Sequence, residues 1–147
     1  MMKAHDAWTM EDLWQQAQRN FCGHLAIMFN YLQDKGLSVD EFIKYTGERT
    51  SPMWKSVITN LGDMMNAILL NVLSNGEKIV DVKIGDNEAA ATVTGLLRSD
   101  VMEYYGCNPE VSGSFWNKFS LLSDEIELKF TWRKTDNGQN CIRLTKK

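Results

Sequence analysis

Three cysteines and two histidines are the side chains of this chain best suited to nucleophilic or acid–base chemistry. His24 falls on or beside the apolar stripe of a helix, close to Cys22. It could act as acid, base or metal ligand, although a partly buried histidine with one backbone partner is the commoner outcome. Cys107 follows the helix stop at Gly106, and the next helix opens near Pro109, so backbone N–H groups and a helix dipole could lower its pKa. No base accompanies it in the sequence, so a hydrolase with Cys107 as nucleophile and His24 as base is the second reading, behind an inert thiol. His24, Cys107 and Cys141 lack the short spacing of a zinc knuckle, and neither a metal nor a cofactor is expected. Asp124, Glu125 and Glu127 could pair as carboxylates, but the last two alternate with core residues on a strand and read as a solvated face. Gly113-Ser114 lacks the second glycine of a nucleophile elbow, and no glycine loop could cradle a phosphate.

Large apolar side chains are a better lead. Five tryptophans, eight methionines and four tyrosines either fill a core or line a pocket. Trp54, Tyr104, Trp116 and Trp132 are the candidate lining, and Arg98 or Arg133 the candidate clamp for a carboxylate at its rim.

The elements that must position these residues follow from caps and periods. Thr9 and Asp12 form a capping-box pattern, with Trp8 and Leu13 spaced as a hydrophobic staple. Leu13, Ala17, Phe21, Leu25, Met28 and Leu32 then recur at helical spacing until Gly36. Ser38 with Glu41 predicts a short helix ending at Gly47, and Ser51-Pro52 predicts a new start. That third helix would carry Met53, Trp54, Val57, Ile58, Leu61, Met65, Ile68, Leu69, Val72 and Leu73 over about 34 Å. Asn75-Gly76 stops it. From Lys78 the period is two: Val80, Val82 and Ile84 alternate with Asp81 and Lys83, and Ala89 to Thr94 returns after the turn Gly85-Asp86-Asn87. Ser99 caps one short helix, and Pro109 opens another with Phe115, Trp116, Phe119 and Leu122. Ile126, Leu128, Phe130 and Trp132 alternate cleanly as a strand. A three-residue loop, Asp136-Asn137-Gly138, then pairs Trp132 with Ile142 and Phe130 with Leu144, and sets Cys141 opposite Arg133. The fold class is α+β: a three-helix bundle (9–75) on an antiparallel sheet of about four strands with two short inserted helices (78–146), one domain over 1–147.

Composition narrows the partners. Apolar residues at 44% and charged residues at 24% are ordinary globular usage. A net charge of -3 with scattered Lys and Arg argues against nucleic acid. The greasiest stretch, Ala67 to Leu73, is far short of a membrane span. The first dozen residues include His5, Asp6, Glu11 and Asp12 and lack the form of an export signal, so a cytoplasmic chain with free thiols is expected. An apolar helix face could also serve as a homodimer contact.

Several stretches carry a resemblance: Val93-Thr94-Gly95, the run Val101 to Cys107, Phe115-Trp116-Asn117-Lys118-Phe119, and the pair Leu128-Lys129-Phe130 with Cys141-Ile142-Arg143-Leu144. In this order they resemble the L-2-amino-thiazoline-4-carboxylic acid hydrolase-like family and allied small-ligand domains, mainly over 89–147. The resemblance implies a pocket for a small organic acid between helices and sheet and, in true members, cysteine-dependent opening of a thiazoline ring. Cys107 is the cysteine that maps. Gly95-Leu96-Leu97-Arg98 stands where a cysteine-proline step belongs, and Asn140, not Cys141, has the parity of the apolar face. Binding of a small, partly apolar ligand is therefore the leading expectation, with its pocket between the Trp54 helix and the Phe130-Trp132 face, at the seam that follows Leu73.

Overall fold

The computed structural model describes residues 7–147, so His5 and Asp6 lie outside the described residues. Three long helices, α1 (Met10–Asp34), α2 (Val39–Val57) and α3 (Leu61–Ser74), precede a hairpin of β1 (Ile79–Ile84) and β2 (Glu88–Val93). Then come α4 (Ser99–Tyr104), α5 (Pro109–Gly113), a 3-10 turn (Ser114–Asn117), α6 (Lys118–Asp124), β3 (Leu128–Lys134) and β4 (Asn140–Lys146). The strands form one antiparallel sheet in the order β1-β2-β4-β3. Helices cover one face of it. The other carries Asp81, Thr92, Cys141 and Arg133 across one row and is open. The α+β class therefore stands, and no helix among the described residues is long and apolar enough to cross a membrane.

The first helix begins as predicted, with the Thr9 and Asp12 capping box formed. It buries a different stripe, however: Gln18, Cys22, Gly23, Leu25, Ala26 and Phe29. Of the predicted six only Leu25 is buried, while Leu13, Ala17, Phe21 and Met28 face outward. The helix is apolar on two sides, and the side with small residues packs closer. A Cβ on Gly23 would lie 3.0 Å from the Tyr105 ring.

The predicted break between the second and third helices is also misplaced. Helix α2 runs through both Gly47 and Pro52, and the chain turns ten residues later, where Ile58 is extended and the Asn60 side chain accepts from Asp63 N. Pro52 cannot supply an N–H to the Glu48 carbonyl, and the Ser51 hydroxyl donates to it at 3.4 Å. Gly47 is a contact rather than a stop, since a Cβ there would lie 3.2 Å from Lys118 O.

Within the sheet the predicted register of β3 and β4 is realised, including Trp132 with Ile142 and Arg133 with Cys141. The strand starts later than its alternation suggests, because Glu127 adopts a left-handed φ of 59° and keeps Glu125 to Glu127 in the turn after α6. In β1 a bulge at Val80 separates the pair Ile79 and Val93 from Asp81 and Thr92. Ile79, Val82 and Ile84 thus share the inner face, and Val80 leaves it.

Candidate functional site

The space proposed at the Trp54 and Phe130-Trp132 seam is solid. The Trp54 and Phe119 rings lie 5.8 Å apart, Phe119 and Phe130 5.8 Å, and Trp116 and Phe130 6.3 Å, and Phe119 has no exposed surface. These are packed aromatic contacts with no room for a ligand. Trp54 packs against this core and faces no cavity there.

A cavity of about 410 Å³ opens instead at the end of the sheet where β2 leaves and β4 begins. Its apolar walls are Leu96, Leu97, Met102, Trp116 and Trp132. Its polar lining includes Thr94, Asn140 and the charged side chains Glu77, Glu110 and Lys134. Such a volume falls in the usual range for small-molecule sites. Each wall has a local cause. Pro109 opens α5 with the Asn108 side chain accepting from Glu110 N, and Gly113 ends it under the Trp132 ring, which a Cβ would meet at 3.4 Å. Trp132 is oriented by its Nε1, which donates to Asn117 Oδ1 at 2.8 Å.

Asn140 is the polar centre of this cavity. It is only 9% exposed, and the Trp116 Nε1 donates to its Oδ1 at 3.1 Å. That donor fixes which way the amide points. Its Nδ2 is left without a hydrogen-bond partner among the described residues, facing a space large enough for an acceptor. On the neighbouring strand, one residue beyond the Val93 that pairs with Asn140, the Thr94 hydroxyl donates to the Glu77 carboxylate and accepts from Lys78 N at 2.8 Å.

The predicted site residues divide accordingly. Trp116 and Trp132 line the cavity; Cys107, His24, Arg98, Tyr104 and Arg133 do not. Cys107 is buried in the core, its thiol donates to Asn108 O at 3.8 Å, and burial pushes its pKa up rather than down. The next helix has five residues, too few for a dipole that could offset this. His24 sits on the exposed side of α1, with no hydrogen bond joining it to Cys107. Arg98 clamps the carboxylate of its own neighbour, Asp100, at 2.6 Å and 3.0 Å, and donates to Gln15 and Gln18 on α1. Tyr104 is 83% exposed, and Arg133 points from the open face of the sheet. No cluster of three or more metal-ligating side chains occurs among the described residues.

One further group is unusual. The Lys118 Nζ lies 4.4 Å and 4.9 Å from the Phe115 and Phe119 ring centroids, and no ion pair reaches it among the described residues. Burial pulls its pKa down to about 8. It borders the aromatic core, not the cavity. Sequence reading missed it because lysine reads as a solvated side chain.

No protein-family model, curated protein or solved structure matches the chain.

Proposed function

We propose that the chain binds a small, partly apolar organic molecule, with a carbonyl or carboxylate oxygen, in the sheet-end cavity. The observation that carries this reading is the Asn140 amide, held through its Oδ1 by the Trp116 indole and with no protein acceptor for its Nδ2 among the described residues, in a cavity that Trp116 and Trp132 also line. The buried side-chain atoms without a partner among the described residues are Gln18 Nε2 and Ser123 Oγ, so the Asn140 Nδ2 is open to the water of the cavity, and a ligand oxygen would take the place of that water. Among the described residues, Lys134 is the one positive charge at a lining that also holds Glu77 and Glu110, so a carboxylate would have to pair with it directly whereas a neutral carbonyl meets no such demand, and Leu96, Leu97 and Met102 suit the apolar remainder. The resemblance to the thiazoline-carboxylate hydrolase-like family is part of the proposal as a degenerate member that binds without catalysis. A cytoplasmic setting belongs to it too, supported by three unpaired cysteines.

The test is titration of a panel of small carboxylates and amides against intrinsic tryptophan fluorescence, with Asn140→Asp beside the native chain. The substitution keeps an oxygen for the Trp116 indole and replaces the free donor by a second oxygen. Saturable quenching in the native chain and its loss in N140D are expected. Equal responses from both proteins would sink the reading.

The alternative, an active hydrolase of a cyclic amidine or thiazoline, requires Cys107 to be a thiolate near neutral pH. Alkylation of Cys107 is expected to rise only above the ordinary thiol pKa of about 8.5. Rapid alkylation at neutral pH, lost in His24→Ala, would instead favour the hydrolase. An interaction module is carried by a different observation, the outer face of α1.

A further inference from the structure

We propose that the outer face of α1 is the contact surface of an antiparallel, two-fold symmetric homodimer. Met10, Trp14, Ala17, Phe21, His24, Met28 and Tyr31 follow one another at alternating intervals of four and three residues. That is the seam spacing of paired helices, kept over the length of the helix. All seven face outward. The exposed fractions are 80% for Met10, 43% for Trp14, 42% for Phe21, 41% for Met28 and 57% for Tyr31. Leu13 and Ile27, also exposed, widen the seam on one flank, and on the other it meets the domain's own core at Leu25.

Area, shape and charge all point to a second copy. The face offers roughly 600 Å² of apolar side-chain surface per protomer, as large as the biggest patch on ordinary monomers, and two copies would bury about twice that, within reach of a standard stable interface. Reversing the seam about Phe21 reproduces it to within one residue: Trp14 and Met28 stand equally far to either side, and small Ala17, four residues before, comes opposite the larger His24, three after. Glu11 and Asp12 occupy the first turn of α1; at its other end Asp34 is the last residue, and Lys35 after it lies over the Tyr31 ring of the seam at 5.9 Å. Antiparallel docking sets each copy's Lys35 beside the acidic first turn of the other and opposes the helix dipoles. Parallel docking would stack the acidic ends. A two-fold contact of this kind closes after two copies.

Sedimentation equilibrium of the full chain from low- to mid-micromolar concentration tests the proposal. The native chain is expected to dimerise, Phe21→Glu to raise the dissociation constant at least about tenfold, and Met53→Glu, on an exposed apolar residue of α2, to change nothing. Circular dichroism should show F21E folded, because the side chain replaced is exposed. For orientation, Phe21→Cys near the two-fold axis should form an intermolecular disulfide under mild oxidation, and Met10→Cys, at the far end of the seam, should not. A native chain that stays monomeric over this range overturns the dimer and leaves the face to another partner. A dimer indifferent to F21E overturns the surface, and cross-linking of M10C as efficient as that of F21C overturns the antiparallel arrangement.

Discussion

Two regions of this domain are equally rich in large apolar side chains and put them to opposite use. Between α2, α6 and β3, the rings of Trp54, Phe119, Trp116 and Phe130 fill the interior, and Phe119 and Trp116 are almost wholly buried. Along α1, Trp14, Phe21, Met28 and Tyr31 stand at regular helical intervals and face away from the core. The comparison teaches that apolar periodicity shows which face seeks a partner, not whether that partner lies in the same chain.

The sharpest way to break the comparison is to truncate one ring in each region. Phe119→Ala leaves a cavity among three aromatic neighbours, Trp54, Trp116 and Phe130, and is expected to cost about 3–5 kcal/mol in urea unfolding. Phe21→Ala, measured below the concentration of any association, should cost under about 0.5 kcal/mol. Similar losses from the two would mean that the outer face of α1 is covered within the monomer.

What secures α1 is its inner side, and Gly76→Ala probes that. Gly76 has a φ of +87°, and a Cβ there would sit 2.3 Å from Gln18 Oε1, the atom that also accepts from Arg98. Strain and collision together should cost about 2–3 kcal/mol. A thermal midpoint unchanged by G76A would show that this contact does not hold the helix.

Lys118 sharpens the other side. Its folded pKa of about 8 lies below the ordinary 10.5, so between those values the unfolded chain binds the proton more tightly. Stability should therefore rise as pH climbs from about 8 towards 10.5, as the poorly hydrated ammonium of the folded state loses its charge. At pH 7 Lys118→Met should be stabilising by about 1–2 kcal/mol, after allowing for the cation–π contacts it removes. It should also flatten the alkaline slope. An unchanged slope in chemical denaturation from neutral to alkaline pH would show that the ammonium is well hydrated after all.

The division into a helical and a strand-rich half was legible at Asn75-Gly76, and the register of β3 and β4 at Asp136-Asn137-Gly138, because turn length and side-chain alternation leave only one pairing that buries Phe130 with Leu144. The ends of α2 were not, because Ser51-Pro52 reads as a helix start unless Ser51 is seen to serve the Glu48 carbonyl. The two-sided greasiness of α1 concealed its buried stripe, since Cys22, Gly23 and Ala26 win by closeness rather than by size. Of the cavity, Trp116 and Trp132 could be picked out as large aromatics, and Asn140 by its parity with Ile142 and Leu144. Thr94, Leu96, Leu97 and Lys134 could not, because they come from segments that converge only when the strand ends are brought together.

The bulge at Val80 has a consequence for assembly. β1 and β3 are the edges of the sheet, and head-to-tail pairing of one with the other would add copies without limit and grow a filament. The extra residue breaks the row of backbone groups on β1 near its start, and Asp81 and Lys83 flank what remains with charge. Open-ended growth along the sheet is obstructed at this edge, whereas the proposed contact through a helix face would close after two copies.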